Sequence, residues 1–166
     1  MQAYPLNVTG NSKMRNANIW LIALIAASLG GCATLPPTSA QSADIARYRF
    51  IVIEATPTIS SISGSGGKLS THEINPSNLI EGLLLKKGLV RVASVAPSTQ
   101  AQTLLLRWGI SGRRNLPLGG YTQEVTIVLL DAQSQQSAYR CTAEGLGSTE
   151  ADDIREAITS CLSGLK

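Results

Sequence analysis

Apolar and β-branched residues recur along the chain with two periods, and the periods set its elements. Residues 47–55 form a β-branched run ended by Thr56 and Pro57 and read as a strand. Its middle, from Phe50 to Ile53, is apolar on both faces and belongs inside a sheet. Residues 57–75 are dominated by Ser and Gly and predict a long loop, or a hairpin of two weak strands turning at Gly64 to Gly67. Asn75 as N-cap, Pro76 in the first turn and Gly88 after Lys86 and Lys87 bracket a helix. Its Leu79, Ile80, Leu83 and Leu84 share one face. Residues 89–95 alternate as a strand, and 97–102 connect onward. Residues 103–111 set Leu104, Leu106, Trp108 and Ile110 against Arg107, as a half-exposed strand does. Residues 121–131 form the longest predicted strand, and 137–145 the last, with Tyr139, Cys141 and Ala143 facing away from Arg140, Thr142 and Glu144. Thr149 with Asp152 resembles a capping box, and Ile154, Ile158, Cys161, Leu162 and Leu165 then line one stripe of a terminal helix.

The order is strand, helix, strand, three strands joined by turns, helix. It predicts an α+β fold, a two-layer sandwich of a mainly antiparallel sheet of about five strands with two helices packed on one face. One domain over 47–166 accounts for these elements.

The amino terminus is of another kind. Lys13 and Arg15 precede an apolar run from Ile19 to Ala27, the charged and hydrophobic regions of a secretory signal. The run is about half the roughly 20 residues that a helix needs to cross a bilayer. Directly after it, Leu29, Gly30, Gly31 and Cys32 resemble the lipobox of bacterial lipoproteins: an aliphatic residue, two small ones, then the cysteine. The resemblance implies cleavage between Gly31 and Cys32, lipid on the Cys32 thiol, and an acylated amino terminus. Several chains together make a stable anchor. Ala33 in place of an aspartate points to the outer membrane, with the domain facing the periplasm. Residues 1–31 are then a signal peptide and 32–46, rich in Pro, Ser, Thr and Ala, a lipidated flexible tether. Met14 also opens a leader of ordinary length.

Charge adds little. The chain carries 14 Lys and Arg against 11 Asp and Glu. Losing Lys13 and Arg15 leaves a net charge of +1, so nothing argues for nucleic acid. Beyond Cys32 the cysteines are Cys141 and Cys161. An even pair in an exported protein reads as a disulfide, and the alternative is two free buried thiols.

The predicted domain is similar in pattern to small α/β lipoprotein domains: the activators of penicillin-binding proteins, the curli-secretion lipoprotein and the amino-terminal domain of TolB. The likeness rests on a strand near the tether, a helix ending Lys86-Lys87-Gly88 before a short strand, the strand at Leu104 to Ile110, and a terminal helix. It assigns no functional residue.

Motifs for chemistry fail on inspection. Gly66, Gly67 and Lys68 lack the first glycine and the hydroxyl of a phosphate-binding loop, since Ile62 and Leu69 hold those positions. Gly109, Ser111 and Arg113 miss the nucleophile elbow at its last glycine. His72 is the one histidine and reads as a solvated loop residue, with no partner at metal-ligand spacing. Asp152 and Asp153 suit a helix start. The sequence therefore carries no catalytic, metal or cofactor signature, and the chain reads as non-enzymatic.

One connection exceeds what a core needs. Arg113, Arg114, Leu116, Leu118 and Tyr121 mix paired cations, exposed aliphatics and an amphipathic ring, and form the candidate surface for a partner. The expected function is a lipid-anchored binding or structural module contacting an envelope protein or complex. A carrier or chaperone for an apolar ligand such as lipid or lipopolysaccharide is the alternative, and a hydrolase of cell wall or glycan a distant third.

Overall fold

The structure, a computed structural model, describes residues 34–117 and 119–166; the signal segment with Leu29, Gly30, Gly31 and Cys32, and Leu118, lie outside the described residues. Among the described residues eight strands and two α-helices follow in the order β1 (Thr38–Gln41), β2 (Phe50–Ile53), β3 (Ile59–Ser65), β4 (Lys68–Ile74), α1 (Pro76–Leu85), β5 (Val90–Val92), β6 (Thr103–Asn115), β7 (Tyr121–Asp131), β8 (Ser137–Gly145) and α2 (Glu150–Ser163). The fold is α+β. Six strands form one sheet in the order β1-β8-β7-β6-β2-β5, and β3 with β4 forms a separate hairpin.

The sheet is mixed, where a mainly antiparallel one of about five strands was expected. Neighbours from β1 to β6 run antiparallel, whereas β2 pairs parallel to both β6 and β5. The physical reason lies in the connections. Parallel neighbours need a long crossover, and the chain between β2 and β5 supplies one through α1. The sixth strand is β1, taken from the stretch read as tether. All four of its side chains are exposed. Its pairing with β8 rests on backbone hydrogen bonds, which leave no hydrophobic period to read.

One face of the sheet meets both helices. Ile51, Leu104, Val125, Ile127, Leu129, Tyr139 and Cys141 from the strands join Ile80, Leu84, Ile154, Ile158 and Leu162 from α1 and α2 in one core cluster. Burying each such side chain stabilises the fold by roughly 1.5–3 kcal/mol. A disulfide between Cys141 on β8 and Cys161 on α2, with Cα atoms 5.6 Å apart, ties the sheet to the terminal helix. The caps are those the sequence announces. Asn75 Oδ1 accepts from the Asn78 amide at 3.1 Å, and Thr149 Oγ1 accepts from the Asp152 amide at 3.3 Å. Where β8 turns into α2 the backbones nearly touch. A Cβ on Gly145 would stand 1.8 Å from the Asp153 carbonyl oxygen, so only glycine fits.

The Ser/Gly segment is a hairpin. Gly66 and Gly67 take φ of 61° and 79°, the left-handed pair that a two-residue hairpin turn demands. Its register sets Ser61 opposite His72 and Ser63 opposite Ser70, all on one face.

Candidate functional site

Three places combine polar chemistry with exposure. The first is the tip of the β6–β7 hairpin, where the sequence located its candidate partner residues. β6 is longer than expected, so Arg113 and Arg114 lie within it, while β7 opens at Tyr121 as the sequence predicts, and residues 116–120 form the connection. Adjacent strand positions face opposite sides of a sheet, which separates the two cations. The Arg113 guanidinium lies 3.2 Å from the centre of the Tyr121 ring, a cation–π stack. Arg114 turns the other way and grips Glu144 of β8 with two bonds, Nε to Oε1 at 2.7 Å and a terminal nitrogen to Oε2 at 2.5 Å. Arg114, seconded by the Leu35 amide at 3.0 Å, holds the Glu144 carboxyl below its ordinary range against the opposing effect of burial. Leu116 is half-buried and Pro117 exposed. Arg113 and Tyr121 thus form one pair, and Arg114 belongs to the sheet.

The second place joins residues that the sequence reading did not bring together. His72 is no solvated residue: its Nδ1 stands 2.9 Å from Asp152 Oδ2, and its Nε2 stands 3.2 Å from Ser63 Oγ. That is the order of nucleophile, base and orienting carboxylate in a serine triad. Asp152 is firmly ionised, at about 2, through the Ser148 hydroxyl first and then Thr149 and His72, against burial. Acyl transfer also needs donors for an oxyanion. The nearby amides at the start of α2 are engaged: Ala151 N–H donates to Ser61 Oγ, Asp152 N–H to Thr149 Oγ1, and Asp153 N–H to the Thr149 carbonyl. With Arg155 donating to the Glu73 carbonyl at 2.8 Å, these contacts act as a latch that docks the hairpin on α2. Alternation within 59–65 and 68–74 around a Gly-Gly turn was the one signal for it.

The third place is the helix-free face of the sheet. Val92, Val52, Leu105 and Leu130 stand in register across four strands, all half-buried. One row on, Arg107 and Arg140 flank Val128, both exposed. Neither arginine makes an ion pair or side-chain hydrogen bond among the described residues. Beside this face, at the carboxyl end of β2, open clefts of about 490 and 550 Å³ share Glu54 and Ala55. Trp108 and Arg107 line one, Arg91 and Glu81 the other. Among the described residues no group of His, Cys, Asp and Glu could hold a metal ion.

No family model and no curated protein matches the chain. Solved structures that resemble it include a PelC dodecamer from Paraburkholderia phytofirmans, 16% identical over 78% of this chain and 94% of that one at a TM-score of 0.45, and a point mutant of the same PelC dodecamer, 13% identical over 78% and 92% at 0.44.

Proposed function

We propose that the chain is an exported lipoprotein, cut before Cys32 and anchored there to the outer membrane, whose periplasmic domain is a non-enzymatic module binding an envelope protein or complex. The observation that carries the binding reading is the helix-free face. A half-buried apolar row with unengaged arginines beside it has the make-up of a protein interface, an apolar centre with a polar rim enriched in Arg. Export is supported by the match at Leu29 to Cys32 and by the Cys141–Cys161 bridge, since disulfides persist in oxidising compartments. The core between sheet and helices is filled by side chains no more than 6% exposed. The large clefts described above open at the surface, which favours a binding module over a carrier of apolar ligands.

The test uses cross-linked capture from intact cells. Charge reversal by Arg107→Glu with Arg140→Glu weakens partner capture about tenfold or more at unchanged melting temperature. Cys32→Ala abolishes incorporation of labelled fatty acid. Normal capture by the doubly reversed variant would discard this face, and undiminished labelling of Cys32→Ala would discard the anchor.

A further inference from the structure

Three of the six large exposed apolar side chains among the described residues, Leu35, Ile62 and Leu69, lie at one end of the domain, the end from which the chain leads back to Cys32. The ends are fixed by strand direction. β6 finishes, β7 starts, β8 finishes and β1 starts on the same side, because these four strands are antiparallel neighbours in the order β1-β8-β7-β6. The Leu35 amide, bonded to Glu144 near the end of β8, holds the residues before β1 at that side. The β3–β4 hairpin points the same way. Along β4 its contacts step from Glu73 on Arg155 to His72 on Asp152, with Ser61 on Ala151. The hairpin therefore runs towards the amino end of α2, which follows β8 directly, and carries its turn beyond.

The large apolar residues left exposed there are Leu35 at 58%, Ile62 at 71% and Leu69 at 81%. Ile62 and Leu69 lie on the hairpin face turned away from His72. Pro117 at the β6–β7 tip is exposed beside the Arg113–Tyr121 stack. Covalent geometry sets how close Leu35 lies to the anchor. Three residues separate Leu35 from Cys32, at most about 3.5 Å each, so Leu35 stays within roughly 10 Å of the lipidated residue.

We infer that this end of the domain is a membrane-contact surface: the tips of the β3–β4 and β6–β7 hairpins, with Leu35, rest in the headgroup region of the bilayer that holds the lipid of Cys32. The inference rests on the lipoprotein reading above. Apolar side chains enter the acyl boundary, while Tyr121, Arg113 and Lys68 suit the interface, where amphipathic rings and long cationic side chains hold their polar ends in water. The contact holds the helix-free face upright, away from the membrane and open to a partner.

The experiment places the full lipidated protein in vesicles of phosphatidylethanolamine and phosphatidylglycerol with brominated acyl chains, which quench tryptophan emission at the boundary. Leu69→Trp reports on the proposed contact, and Gln133→Trp, exposed at the β7–β8 turn on the opposite end, is the control. The expected result is loss of the emission added at Leu69→Trp and none at Gln133→Trp, with charge substitution at Ile62 reducing the loss. Equal quenching of both, or of neither, in protein that floats with the vesicles overturns the contact surface and leaves the anchor standing. Cross-linking of the unquenched Leu69 position to a second copy would reassign the surface to self-association. Protein that does not float removes the anchor and the contact together.

Discussion

Arg114 on β6 reaches across β7 to close both ends of its guanidinium on Glu144 of β8, a carboxylate whose side chain is only 6% exposed. Removing the arginine leaves that charge buried without its cation, an arrangement that costs far more than loss of a surface pair. Arg114→Ala is therefore expected to lower the melting temperature by several degrees, while Arg113→Ala scarcely moves it. Replacing Arg114 and Glu144 together with alanine recovers part of the loss, since the stranded charge goes too. Equal, negligible shifts for both single variants would show that Glu144 is solvated.

Strong acid removes a stabilising contribution at Asp131. Its carboxyl accepts the Ser134 and Gln133 amides at 2.8 Å each and the Tyr48 hydroxyl at 2.8 Å, with Arg47 at 2.6 Å. The Ser134 amide contributes most, and against burial the set lowers the pKa from 3.8 to about 2. A carboxyl depressed on folding stabilises above its unfolded value and loses that contribution as pH falls. The contribution is thus complete above about pH 4 and disappears as pH falls through about 2, roughly 2 kcal/mol in all. Asp131→Asn should reduce stability at neutral pH and flatten this part of the acid-unfolding curve. An unchanged acid limb in the variant would assign acid sensitivity elsewhere.

The His72 latch predicts a local effect. His72→Ala removes the bonds that tie the hairpin's Ser63 and His72 to Asp152, so hydrogen exchange at the β3 and β4 amides accelerates while global melting changes little, as expected of a peripheral unit opening by itself. Ser63 is expected to stay unreactive towards a fluorophosphonate, because the nearby Ala151, Asp152 and Asp153 amides are already engaged. Covalent labelling of Ser63, abolished by His72→Ala, would mean that the triad-like geometry is catalytic.

How much of this was readable differs from element to element. Ile154, Ile158, Cys161 and Leu162 recur at the helical period because α2 buries one stripe, and Tyr139, Cys141 and Ala143 alternate because β8 buries one face. Side-chain periodicity records such burial directly. Asn75 and Thr149 were legible as caps because capping is a local bond between a side chain and an amide three residues on.

What remained for the tertiary structure is what involves backbone pairing or distant partners. β1 joins the sheet with four exposed side chains, and the parallel partners of β2 depend on where α1 carries the chain. Arg114 and Glu144 are 30 residues apart. His72 meets Ser63 within its own hairpin, and Asp152 only when that hairpin docks on α2. By itself the sequence determined the pattern of burial, the caps and the segment types, since each is written within a few neighbouring residues. The pairing of charges, the mixed sheet and the common end shared by Leu35 and the hairpin tips were decided by folding, because those contacts join residues whose separation along the chain carries no information about their distance.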